Sequence, residues 1–245
     1  MTTPQFLSWA ATHPSAGRSY NEDAFVDRPA LGLWAVADGA GGHEGGQMAS
    51  GMLRSALEAI PESVSAAELL AEVRAGIEAT HISLRALAER DGRPILGAST
   101  IVVLMLRDEH FACLWAGDSR CYLLRDGVLQ QITHDHSLVQ ELVDSGAIHP
   151  EDAEAHPQGN VITRAVGADM DELVLDKASN RTQPGDRFLL CSDGLYKSVP
   201  EVELARLLAE DTGVPPTQAM IAAALAMNAS DNVTAVAILI GGRLE

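Results

Sequence analysis

Four largely apolar segments crowd into the middle of this chain, the first of them rich in β-branched residues, and they constrain its fold more than any other feature: Ser99 to Leu106, Phe111 to Ala116, Arg120 to Leu124 and Val128 to Ile132. The turns between them, Arg107-Asp108-Glu109-His110, Gly117-Asp118-Ser119 and the hairpin pair Asp126-Gly127, are too short to return a chain by a helical crossover. The segments therefore predict an antiparallel meander. Around it, Leu31 to Ala37, Leu173 to Ala178, Arg187 to Cys191 and Val233 to Ile240 read as further strands. Helices are predicted over Gln47 to Ile60, Ala66 to Arg90, Val202 to Glu210 and Pro216 to Met227. In the second of these Leu69, Val73, Ile77, Leu84 and Leu87 recur at helical spacing. A shorter helix, Ser137 to Ser145, has Ser137 as its predicted N-cap, and the polar stretch Ala147 to Asn160 reads as an irregular surface insert.

Strands in runs and helices in pairs do not make the alternating order of a parallel α/β protein. They predict an α+β layered sandwich, antiparallel sheets covered by helix pairs. With 245 residues, no internal repeat and no Pro/Gly/Ser-rich linker, residues 1–245 read as one domain. Aromatic residues make up only 4%, so the core must be built from Ala, Leu, Val and Ile.

Seventeen basic against 34 acidic residues leave a net charge of −17, which disfavours nucleic acid as a partner. Two readings of the acid stay open: a soluble surface, or carboxylates that hold divalent cations. Cys113, Cys121 and Cys191 sit in apolar runs without metal-ligand spacing, as buried thiols of a reducing compartment do. Met1 to Pro14 lacks the charge and apolar pattern of a signal peptide, and no segment approaches a membrane span. The expected location is the cytoplasm.

The aspartates fall at strand ends. Asp38, Asp118 and Asp193 follow the strands ending at Ala37, Ala116 and Ser192, whereas Glu22, Asp23 and Asp231 lead into strands at Ala24 and Asn232. Antiparallel neighbours bring one strand's end beside the next one's start, so these carboxylates can meet on one rim. Packed together, such charges repel by several kcal/mol unless cations stand among them. All-oxygen ligation suits Mg²⁺ or Mn²⁺. Asp-Gly is equally a common turn, found here at 38–39, 91–92, 126–127 and 193–194, so a metal cluster and plain turns are both open on pattern alone. Arg18, four residues before Glu22, has the planar fork that grips a phosphate dianion, and is also ordinary on a surface. Gly39-Ala40-Gly41-Gly42 lacks a following Gly-Lys-Ser/Thr, which disfavours a nucleotide loop.

In order along the chain stand Arg18-Ser-Tyr-Asn21-Glu22-Asp23, Asp38-Gly39-Ala-Gly-Gly, Gly117-Asp118-Ser119-Arg120, Ser192-Asp193-Gly194-Leu195 and Asp231-Asn232-Val233-Thr234. This series resembles the metal-dependent protein phosphatases of type 2C, from about Gly17 to Ile240. Asp135-His136-Ser137-Leu138-Val139 with Asn160-Val161-Ile162-Thr163-Arg164-Ala165 is further similar to small bacterial members. The resemblance implies a four-layer sandwich with the metal centre at one end of the sheets, and hydrolysis of phosphoserine and phosphothreonine by a water activated at two, or three, Mn²⁺ or Mg²⁺ ions. It implies that Asp38 bridges two metals, that the Gly39 carbonyl ligates one, that Asp193 and Asp231 complete the second, and that Glu22 acts through water. Asp118 with Asp193 would match a third. Asp23 and Asn232 would steady the ligands, Arg18 would hold the phosphate, and residues 137–165 would form a flap. Ala40 stands where many members carry a catalytic His, so the general acid is unassigned. His43 is a candidate, while His134 and His136 read as structural. No Cys-x₅-Arg loop is present, which disfavours a thiol mechanism. Implied partners are phosphorylated proteins, a cognate Ser/Thr kinase among them, and the implied state is a monomer. A non-catalytic binding module on the same fold and a hydrolase of small phosphoesters are the rival readings.

Overall fold

The computed structural model describes residues 6–15, 18–93, 95–153, 156–170 and 172–241, with the His43 side chain outside that description. The elements run β1 (Phe6–His13), β2 (Ala24–Arg28), a 3-10 turn (Pro29–Leu31), β3 (Leu33–Ala37), β4 (Gly39–Ala40), α1 (His43–Glu58), α2 (Ala66–Arg90), β5 (Ala98–Ser99), β6 (Ile101–Arg107), β7 (His110–Ala116), β8 (Arg120–Arg125), β9 (Val128–Gln131), α3 (Leu138–Asp144), α4 (Pro150–Ala153), β10 (Asp176–Arg181), β11 (Arg187–Cys191), α5 (Asp193–Tyr196), α6 (Glu201–Ala209), α7 (Pro216–Ala226) and β12 (Val233–Ile240).

Two five-stranded sheets carry the fold, in the orders β1-β12-β11-β8-β9 and β10-β7-β6-β3-β2, with every pairing antiparallel. Their central strands are apolar on both faces because both faces are covered. Trp34, Val36, Val102 and Leu104 point into the layer between the sheets, where they meet Leu123, Phe188, Leu190, Val236 and Ile238. The alternate residues Leu33, Ala35, Ile101 and Val103 pack outward against Leu53, Leu57, Val73 and Ile77 of α1 and α2. On the far side Leu189, Ala235 and Ala237 pack against Leu204, Leu208, Met220 and Ile221 of α6 and α7. The result is helix pair, sheet, sheet, helix pair. Phe6 against Trp34, at 5.5 Å between ring centroids, and Phe111 against Phe188, at 5.1 Å, tie one sheet to the other edge to face.

Several elements depart from the sequence reading. β1 was not predicted. It pairs with β12 along its whole length, Phe6 with Ile240 through His13 with Val233, but it is an edge strand with Ser8 and Thr12 breaking its apolar run. β10 lies three residues beyond the start of the predicted Leu173 to Ala178. Leu173 and Leu175 pack into the core as loop residues, and the ladder to β7 fixes the strand at Asp176 to Arg181 instead. α1 starts at His43 rather than Gln47 despite Gly45 and Gly46, because close packing overrides poor helix propensity there. The insert holds the short helix α4, and α5 follows β11 directly. α2 spans the predicted residues and opens on a reciprocal cap between Ser65 and Glu68. No helix among the described residues is long and apolar enough to cross a membrane.

Candidate metal centre

The ladders bring the carboxylates together. Ala24 pairs with Ala37, so Asp23 and Asp38, one residue beyond each, lie side by side. Cys191 pairs with Ala235 on one flank and Arg120 on the other, so Asp193 lies near both Asp231 and the turn that carries Asp118. Both sheets therefore contribute at the same end. A cleft of about 550 Å³ opens there, lined by Arg18, Glu22, Asp38, Gly39, Asp193 and Asp231, with Asn160 and Ile162 also in its lining. Asp118 is buried and lines an adjoining pocket that shares Asn160. Asp23 and Asn232 lie behind the cleft wall, both buried.

Local hydrogen bonds fix the segments that carry Asp38, Glu22 and Asp23. The Asp38 backbone N–H donates to Thr100 Oγ1 at 3.1 Å, and its carbonyl accepts from Thr100 N at 2.8 Å and Ser99 Oγ at 3.0 Å. Glu22 N–H donates to Asn232 Oδ1 at 2.9 Å, while Asn232 Nδ2 donates to the carbonyls of Pro14 and Tyr20. One Asn thereby pins the start of β12 to the loop that carries Arg18. Asp23 Oδ2 accepts from Ser192 Oγ at 2.7 Å and Thr234 Oγ1 at 2.6 Å, joining β2, β11 and β12 beneath the site. Gly39 and Gly46 pass so close to each other and to Glu22 that a Cβ on either would overlap backbone or the Glu22 carboxylate.

The electrostatics favour cations. Burial pushes the Asp23 and Asp118 carboxyls up to about 7, with Asp193 adding repulsion to both. Burial, then Asp23, Asp193, Asp118 and Asp231, holds Asp38 well above the ordinary carboxylate range. Glu22 Oε1, Asp23 Oδ1, Asp118 Oδ1 and Asp193 Oδ1 are buried without a hydrogen-bond partner. Buried orphan oxygens of this kind call for a ligand. Two cationic side chains stand among the carboxylates: Arg18 Nη2 lies 2.9 Å from Asp231 Oδ2 and its Nη1 3.5 Å from Glu22 Oε2, and Lys197 Nζ lies 2.7 Å from Asp193 Oδ2. With these in place, no three of His, Cys, Asp and Glu among the described residues are drawn into a tight ligand set. The donor set itself, all oxygen and strongly anionic, fits a hard divalent ion.

The histidines divide. His136 is buried, accepts the Gly117 N–H on Nδ1 and stacks on Trp115. His134 is paired with Asp144 on the surface, and the His43 side chain lies outside the described residues. The sequence reading missed Lys197 and the contact of Asn160 with it at 2.8 Å. The four-residue spacing of Asp193 and Lys197 is the helical ion-pair interval, but it becomes a signal only once 193–196 is known to be a helix.

Residues 12–228 match the protein phosphatase 2C family model. The serine/threonine protein phosphatase PstP of Mycobacterium tuberculosis is 36% identical over 219 residues, covering 89% of this chain and 42% of PstP. The serine/threonine phosphatase stp of Listeria monocytogenes is 33% identical over 229 residues and 90% of each chain. The solved catalytic domain of PstP in complex with two manganese ions superposes with a TM-score of 0.87 at 32% identity, over 98% of this chain and 100% of that one.

Proposed function

The chain belongs to the protein phosphatase 2C family, and we propose that it is a serine/threonine protein phosphatase acting through a pair of Mn²⁺ or Mg²⁺ ions, with residues 1–245 as one catalytic domain. The observation that carries this reading is the meeting of Glu22, Asp38, Asp193, Asp231 and Arg18 in one cleft, with buried carboxylate oxygens lacking partners. Asp38, the Gly39 carbonyl, Asp193 and Asp231 are the proposed ligands, with Glu22 acting through water. When bound, the ions supply an activated water and screen the charge of the phosphoryl group.

The remaining work falls to the chain. Arg18 neutralises Asp231 and Glu22 here. With divalent ions held by those carboxylates, the Arg18 guanidinium would be free to face the substrate phosphate and steady the oxygens that gain charge during attack. Asn232 orients Glu22, and Asp23 locks the three strand ends beneath the ligands, so the site is rigid before substrate arrives. The leaving alkoxide needs a proton, for which His43 is one candidate donor and water in the site the other. Residues 137–165 form the proposed flap: Ser137 bridges Ile162 at its base, and Asn160 and Ile162 reach the cleft.

The proposed substrates are phosphorylated proteins in the cytoplasm, a cognate Ser/Thr kinase and its signalling targets among them, met by a monomeric enzyme. The test is phosphate release from a phosphothreonine peptide with Mn²⁺, with Mg²⁺ and with excess EDTA. Metal-dependent release supports the reading. A folded protein that releases nothing under any metal is a binding module, and one that cleaves p-nitrophenyl phosphate but not the peptide is a small-phosphoester hydrolase.

A further inference from the structure

Lys197 caps the C-terminal end of α5, one turn after Asp193, and its backbone N–H donates to the Asp193 carbonyl at 3.0 Å. That turn returns its side chain over the acidic rim. Nζ lies 2.7 Å from Asp193 Oδ2, 2.8 Å from Asn160 Oδ1 and 3.9 Å from Asp118 Oδ2. The ammonium thus stands between the two carboxylates that a third divalent ion at this rim would have to share. It is hydrogen-bonded to two of these oxygens and ion-paired with the third, with only 32% of the side chain exposed.

Resting on the two-metal reading above, we propose that Lys197 takes the place of a third cation, limits the loaded protein to two metal ions and ties Asn160 of the flap to the metal rim. The reasoning is one of charge and space. An ammonium and a divalent ion cannot share the gap between Asp118 and Asp193, because like charges at contact distance repel. The ammonium is tethered covalently, so free metal must displace a group whose local concentration never falls. Asp193 gives Oδ2 to Lys197 and keeps Oδ1, which has no partner here, for the metal pair. Asp118, buried beside Asp193, then has a counter-charge without metal.

The test counts metal rather than turnover. The full chain is dialysed to equilibrium against millimolar MnCl₂, and bound manganese is measured by plasma emission for the native protein, Lys197→Met, Asp118→Asn and the double variant. The expected stoichiometries are two, three, two and two. Circular dichroism and the retained pair show that each variant folds. Three ions on the native protein, two on Lys197→Met, or a third ion that survives Asp118→Asn in the Lys197→Met background each overturn the proposal. Failure of every form to bind manganese overturns the two-metal reading itself, and the proposal with it.

Discussion

Asp38 and Asn232 show two ways in which one residue serves this site, and they predict different losses. Asp38 lies in the cleft amid Asp23, Asp118, Asp193 and Asp231. Asp38→Asn removes the charge proposed to bridge the metals and should reduce manganese-dependent phosphate release to background, with the circular dichroism spectrum unchanged; near-normal turnover at saturating Mn²⁺ would remove Asp38 from the centre. Asn232 is fully behind the wall and touches Glu22 only through its backbone N–H. Asn232→Ala loosens the support of Glu22, a proposed ligand through water, so it should weaken manganese affinity or activity by roughly 10–100-fold, measured as the shift in the Mn²⁺ titration midpoint. Residues of the first kind were legible in the sequence, because an aspartate at a strand end is visible from the apolar run beside it. Asn232 was legible only through the family resemblance. Lys197 was not, because its contacts depend on a four-residue helix and on Asn160, far away in sequence.

Among the elements, the meander and the two helix pairs could be read from periodicity and turn chemistry because each is stabilised by local signals as well as by the core. Two of the four edge strands could not. β1 and β10 are each bonded on one side only, and their positions follow from the partner strand rather than from their own composition. The junction between α1 and the sheet rests on a contact that periodicity cannot reveal. Arg28, at the end of β2, donates to the carbonyls of Leu57, Glu58 and Ile60 at 3.2, 3.2 and 2.6 Å. It adds a charged donor to carbonyls at and just beyond the C-terminus of α1, that of Leu57 also accepting a backbone N–H, and places a positive charge at the negative end of that helix. Arg28→Ala should therefore cost about 2 kcal/mol, since hydrogen bonds to a charged group contribute about 1.5–3 kcal/mol each before relaxation. Urea unfolding of the metal-loaded protein measures this, and activity under native conditions should be little changed. Ser65→Ala, which removes the α2 cap, should cost about 1 kcal/mol on the same scale.

For the molecule as a whole, the decisive feature is that two sheets with opposite outer neighbours end on the same acidic rim, so metal, protons and stability are linked there. Without metal, burial above all pushes the Asp23 and Asp118 carboxyls up to about 7 and holds Asp38 well above its ordinary range. A carboxyl whose folded-state pKa is raised binds more protons folded than unfolded. Its contribution to stability is therefore present at low pH and is lost as pH rises from about 4, the ordinary value, through the folded value near 7. His81 and His136 act with the opposite sign: burial lowers both from 6.5, so they cost stability as pH falls below that value and contribute no slope above it. Above pH 6.5 the carboxyls should dominate. In excess EDTA the melting temperature is expected to fall from pH 6.5 to 8. In saturating Mn²⁺, where the proposed pair would hold Asp38 ionised and offset the charge beside Asp23 and Asp118, the fall should shrink. The same linkage requires that manganese binding release protons near pH 6 and fewer at pH 8, read as a binding enthalpy that depends on the buffer's ionisation heat at the lower pH. A melting temperature that rises through this window in EDTA, together with proton-neutral binding at pH 6, would mean that the rim carboxylates are already ionised and paired without metal, leaving Arg18 and Lys197 as sufficient counter-charges.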